Sequence, residues 1–276
     1  MISKVRFSEI NEEVEKAVID VFEYIKNNCR EDKYILLLAN GEFDDDLYSS
    51  TSRFNPNTID YRLDGYKDES RLKFFIQFIN SFYSFSSGVT SVNDDEYRIT
   101  LELMVYSHVW ESKNLLKQLF RLSELVQDRP YPWAVFVPEM SKHEFIRFKI
   151  RDGFKTKKLL VSEVITKGFH TSLRNAFAHS EYSLNNDANK IILHTYKGND
   201  KWDIPSVSYD GWSEKFVYSA LLSYYLILYK QKRRESLKKD FGKLEFIISH
   251  PINKKLTKYR TIYYNPDQDI FRFRQR

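Results

Sequence analysis

The sequence has a single cysteine, Cys29, in 276 residues. A disulfide framework within one chain is therefore excluded, and a Cys-based zinc site has too few ligands. Cys29 reads as a small buried hydrophobe rather than a nucleophile. Glycine is scarce, with eight residues, which leaves little material for a phosphate-cradling loop. The patterns G-x-x-x-x-G-K-[ST], G-x-G-x-x-G and H-E-x-x-H are all missing. No cofactor and no metal is expected. Long apolar runs are missing too: the longest, Phe216 to Tyr229, is too short for a bilayer and is broken by Ser219, Ser223 and tyrosines. Met1 to Phe7 leads straight into an acidic helix pattern, so no signal peptide is expected. These absences point to a soluble cytoplasmic protein with no membrane partner.

What is present begins with enough apolar material for a core, at 42% hydrophobic residues. Aromatics reach 16%; they serve as core payload or as a base-stacking surface, and composition alone does not place the rings. The net charge of +5 is unevenly spread. Lys230 to Arg276 hold 14 Lys and Arg against 5 Asp and Glu, while the rest of the chain is slightly acidic and includes the run Asp44, Asp45, Asp46. A basic C-terminal fifth suits either a polyanion partner or a solvated face. Within it, Lys230, Lys232, Arg233, Arg234, Lys238 and Lys239 could track an RNA backbone, or form the solvated end of a helix.

Periodicity organises the chain. Ile10, Val14, Val18, Phe22 and Ile25 predict a helix over 8–28 with Ser8 as N-cap. Tyr34 to Leu38 suggests a brief strand or a buried turn, and 41–67 a long polar loop. A helix pattern returns over 69–85. A long helix is expected over 97–127, closed by Arg129-Pro130-Tyr131-Pro132, and a second over 160–179 with Gly168 inside it. Residues 133–158 are mixed and basic. Extended segments are expected near 181–184, 190–196 and 201–208, then a helix over 213–237 with Ser213 as N-cap. Leu244 to Ile248 precedes a hairpin formed by Tyr259 to Tyr264 and Ile270 to Phe273. The expectation is one mainly α domain over 1–276, a helical bundle with a small β insertion and a β-hairpin tail.

The candidate chemistry lies at the end of the second long helix, in Leu173-Arg174-Asn175-Ala176-Phe177-Ala178-His179. Asn175 and His179 are four apart and share a face; Arg174 is one step round, with a side chain long enough to reach the same spot. An imidazole that titrates near neutrality can move protons, and a guanidinium grips phosphate oxygens. Metal-free cleavage of RNA needs these groups: a base for the 2′-OH, an acid for the departing 5′-oxygen, and a cation for the extra charge on phosphorus. One His per chain is thin for both proton transfers, and a two-fold dimer would supply two. An Arg followed after four to six residues by a His is unspecific alone, and the same residues can simply stabilise a helix end.

In its fuller context the string resembles the R-x4-6-H motif of the HEPN superfamily, in the Arg-Asn form with Ala before His. The resemblance extends over about 97–237, leaving 1–96 as an N-terminal helical extension and 238–276 as a basic β-containing tail. It implies a HEPN-like helical bundle, a homodimer with a composite active site, and a metal-independent endoribonuclease that leaves a 2′,3′-cyclic phosphate. Toxin and antiphage systems, with a regulatory or antitoxin partner, are the setting it implies. By that resemblance His179 would be the catalytic histidine, Arg174 would bind the scissile phosphate and Asn175 would position it. Glu111, beside the apolar stripe of an earlier helix, would orient Arg174, or else be solvated. Some relatives carry a Tyr two residues after the His that is modified by a partner; here that place is Glu181, with Tyr182 next. Some HEPN-like domains are silent, so a non-catalytic scaffold binding RNA or a protein is the alternative.

Overall fold

Helix α1 (Lys4–Asn28) starts earlier than its periodicity predicts because Ser3, not Ser8, is the cap. The Ser3 Oγ accepts the Arg6 N–H at 3.1 Å. Ser8 lies inside the helix. In this computed structural model residues 2–45, 55–60, 62–93, 95–198, 203–253 and 256–274 are described. Residues 46–54 and 61 of the expected 41–67 loop, with Asp46, and the start of the 201–208 segment lie outside them; the described part of that loop holds two short strands and the start of a helix.

The run Tyr34 to Leu38 is helical, within α2 (Glu31–Leu38), and is neither strand nor turn. All five side chains are buried, so they carry no amphipathic period that could tell helix from strand. A two-residue antiparallel pair follows, β1 (Glu42–Phe43) with β2 (Asn57–Thr58), then α3 (Arg62–Phe82).

The expected 97–127 helix is two helices, α4 (Glu96–Glu111) and α5 (Lys113–Val126). Ser112 is extended between them (φ −65, ψ 105), and its Oγ accepts the Leu115 N–H at 3.3 Å. The basic 133–158 stretch forms α6, a π-helical run Phe145–Arg151 between α-helical ends Lys142–Glu144 and Asp152–Lys155. Ser123 donates to the Lys149 carbonyl at 3.0 Å, and a Cβ at Gly153 would collide with the Ser123 hydroxyl. Only glycine permits that approach.

The expected 160–179 helix is also broken, into α7 (Val161–Gly168) and α8 (Thr171–Ala178), with Phe169 and His170 extended. Strands β3 (Tyr182–Asn185), β4 (Lys190–Leu193) and β5 (Ser206–Ser208) form one antiparallel sheet in the order β3-β4-β5. Helix α9 (Tyr209–Glu235) is capped by Ser208, whose Oγ accepts the Gly211 N–H at 3.2 Å; Ser213, the expected cap, is buried within the helix. The C-terminal part is α10 (Leu237–Phe241) and the antiparallel meander β6 (Glu245–Pro251), β7 (Thr257–Asn265), β8 (Ile270–Phe273).

The protein is mainly helical, and α9 is its axle. Trp212, Phe216, Leu221, Leu222 and Leu226 are buried on several sides of it, because α1, α3, α4 and α7 all pack against it. α1 runs along it although it lies in the stretch read as an extension. At Gly168 a Cβ would crowd Ser219 Oγ at 2.9 Å, which explains a glycine inside an otherwise apolar helix pattern. Below α4, Glu102 is fully buried and accepts from Arg98, Tyr83 and, at 2.9 Å, Trp212 Nε1. Burial pushes the Glu102 carboxyl up, and Arg98 pulls it back.

Candidate functional site

Helix α8 is eight residues long, below the length at which a helix holds by itself in water. Its packing fixes it. Leu173, Ala176 and Phe177 are buried, and Phe177 meets Tyr106, Trp212 and Tyr182 edge-on. The break before it is tied by one hydroxyl: Tyr106 donates to the Gly168 carbonyl at 3.1 Å and accepts the His170 N–H at 2.9 Å. The far end closes in a Schellman turn. Ser180 sits at φ 57, its N–H reaches Phe177 O at 3.2 Å, and the Glu181 N–H reaches Ala176 O at 2.8 Å. This turn sets His179 as the helix C-cap, exposed to solvent.

Arg174 leans the other way, towards the end of α4. Its Nε lies 3.2 Å from Glu111 Oε1, an ion pair without hydrogen-bond alignment. Lys142, buried at the start of α6, takes the other Glu111 oxygen. The expected Glu111–Arg174 pairing is therefore present in the fold. Neither Nη of Arg174 forms a hydrogen bond to the described residues, although the side chain is only 13% exposed. A guanidinium held from behind, with its fork open, can take an oxyanion bidentately.

Arg174 and Asn175 lie on α8 and His179 is its C-cap. Arg174 and His179 are five residues apart, about 140° round the helix at 3.6 residues per turn. Among the described residues no hydrogen bond or ion pair joins them. Asn175 is half-buried, and its carbonyl accepts the His179 N–H at 3.1 Å.

Two further groups border the start of α8. His170 shares a face with Arg174, and its Nδ1 is buried without a partner. Burial first, then Lys215 and Arg147, pushes this imidazole down to about 4, so it is neutral at pH 7. Asp203 accepts from Ser172 Oγ and from the Lys197 N–H, both at 3.0 Å, and these bonds hold its carboxyl below the usual range. Sequence reasoning missed Lys142, which lies in a stretch with no clear period.

The six basic residues expected to contact RNA divide. Lys232, Lys238 and Lys239 are exposed, with the Lys232 ammonium 4.6 Å from the Tyr229 ring. Lys230 is half-buried, and Arg233 pairs with Glu23 at 2.7 Å. Arg234 is buried and does not face solvent as expected. Its Nη1 and Nη2 bond both Asp60 oxygens at 2.9 and 2.6 Å, and Nη2 also reaches the Asp269 carbonyl at 2.6 Å. Its guanidinium lies over the rings of Tyr264 and Phe271.

Among the described residues no group of three or more His, Cys, Asp or Glu could hold a metal, and no helix is long and apolar enough to cross a membrane. No family model matches the chain, and no curated protein or solved structure is significantly similar to it.

Proposed function

We propose that the chain is a HEPN-type endoribonuclease that cleaves RNA without a metal. The observation that carries this reading is Arg174, held at its Nε by Glu111 with both Nη atoms open, on the same short helix as an exposed His179. Arg174 would grip the non-bridging oxygens of the scissile phosphate and offset the charge that grows on them. An imidazole takes the proton of the 2′-OH as its oxygen attacks phosphorus. A second, protonated imidazole gives a proton to the departing 5′-oxygen. The products are a 2′,3′-cyclic phosphate and a 5′-hydroxyl. One histidine per chain is thin for both proton transfers, so a homodimer is part of the proposal: His179 of a second copy completes the site. Asn175 would hold the phosphate or the imidazole in register. A cytoplasmic toxin or antiphage role, with a regulatory or antitoxin partner, completes the reading.

Among the described residues no hydrogen bond or ion pair joins Arg174 to His179, which favours a second reading, a non-catalytic HEPN-like scaffold that binds RNA or a partner protein. A cleavage assay on mixed single-stranded and structured RNA, with EDTA present, separates the two. Cyclic-phosphate products from the wild type, lost in His179→Ala and in Arg174→Ala, support the nuclease. Wild-type cleavage that survives either substitution would sink the assigned site.

A further inference from the structure

The basic charge of the tail is only partly explained by the helix end, because Arg233 and Arg234 are used within the fold. The meander β6-β7-β8 carries the rest, and its two faces differ. The inner face is anchored. Phe246, Ile248, Ile262 and Phe271 are buried, and Arg234 bonds Asp60 and Asp269 beneath them. His250 is fully buried, with its Nε2 3.1 Å from Asn57 O and its ring edge-on to Trp133 and Phe273. A sheet fixed so firmly from below is a rigid plate.

The outer face is mostly open, and Arg30 borders it at Tyr259. Alternation puts Glu245, Ile247 and Ser249 of β6 there, opposite Tyr263, Thr261 and Tyr259 of β7. Tyr259 is 71% exposed and Ile247 60%. Tyr263 faces Arg272 of β8 in register, and both Arg272 and Arg274 are exposed. Arg30, from the turn between α1 and α2, lies against Tyr259 and is itself held by Asp32, with Nε and Nη2 on its two oxygens at 3.0 and 3.1 Å. The acid of these strands, Glu245, is already paired with Arg274 at 2.8 Å. Tyr259 and Tyr263 stand about 13 Å apart along one strand, at about 3.3 Å rise per residue.

We propose that this outer face is a platform for single-stranded RNA, with Tyr259 and Tyr263 stacking on bases and Arg272 drawing the backbone. The proposal rests on the reading that RNA is the substrate. The exposed ring of Tyr259 and the half-buried ring of Tyr263 on one sheet face can accept unpaired bases, whereas a duplex hides its bases from them. With Arg274 held by Glu245 and Arg30 by Asp32, the exposed Arg272 supplies the positive charge that complements phosphate.

The test is fluorescence anisotropy with a labelled oligouridine and a duplex RNA of equal length, using His179→Ala protein so that nothing is cut. The single strand should bind more tightly than the duplex. Tyr259→Ala with Tyr263→Ala should weaken it by tenfold or more, Tyr259→Phe should leave it unchanged, and Arg272→Ala should lower the salt slope by about 1. Wild-type affinity in the double tyrosine variant would overturn the proposal, as would no binding of oligouridine by the parent protein. Failure of the nuclease reading looks different: oligouridine is bound through the tyrosines, yet the wild-type chain never cleaves it.

Discussion

Arg174 and Arg234 are both mostly buried arginines on helices, yet their surroundings are opposite. Arg234 is enclosed: Asp60 takes both Nη atoms, the Leu38 and Asp269 carbonyls each take one of them again, Nε lies 2.8 Å from Asp269 Oδ1, and two rings lie against the guanidinium. Nothing is left for a ligand, and the group welds the C-terminal meander to α9. Arg174 has one carboxylate at its back and an open fork. Burial and charge alone therefore do not mark a binding arginine; the unused hydrogen-bonding capacity of its outer edge does.

The sharpest way to break this contrast is to remove each in turn. His179→Ala or Arg174→Ala should lower the cleavage rate by about 10²–10⁴-fold while the urea midpoint barely moves. A rate within threefold of wild type would remove the distinction. Arg234→Ala should do the reverse, costing about 3–5 kcal/mol of stability because Asp60 is left buried and unpaired. Burial already pushes the Asp60 carboxyl up, so protonation will soften part of that loss. Urea unfolding measures it, and a loss below 1 kcal/mol would mean the node is not a weld.

A smaller effect sharpens the electrostatics around Arg174. The folded protein holds His170 neutral down to about pH 4, whereas the unfolded chain takes up a proton near 6.5. The stability this group contributes is present at neutral pH and is lost as pH falls through that window. His170→Asn should reduce the loss between pH 7 and pH 5 by about 1–2 kcal/mol, allowing for partial exposure. Equal acid sensitivity in both proteins would show that His170 is not the group responsible. The smallest effect belongs to the exposed pair: Lys238→Ala with Lys239→Ala should change stability by less than about 0.5 kcal/mol. If the pair does contact RNA, its loss should also lower the salt slope of binding by up to about 2.

Much of this fold can be read in the chain, and the failures have physical causes. The stripe from Ile10 to Ile25 places α1, and the turn residues around Asn185 and Gly198 bound the inserted strands. The breaks at Ser112 and at Phe169-His170 are invisible because apolar spacing continues through both; a capping serine and the Tyr106 hydroxyl decide them. The caps slipped for a related reason: Ser3 and Ser208 lie before the apolar stripe begins, so Ser8 and Ser213 looked nearer its edge. For the site, Glu111 could be named because it sits beside a helical stripe, and Arg174 because it opens the Arg-to-His string. Lys142 could not, since α6 is π-helical at its centre and shows neither period. Arg234 looked like a free cation because its partners are remote in sequence, Asp60 by 174 residues.

The Tyr106 hydroxyl, which joins Gly168 to His170, has a mechanical meaning. Helix α8 is a lever about 12 Å long, at 1.5 Å per residue, with Arg174 near its middle and His179 at its tip. Tyr106 is the pin on which the lever is mounted. A loosened pin turns into displacement at the tip, so the aim of His179 is governed by a phenol buried on another helix, some seventy residues earlier in the chain.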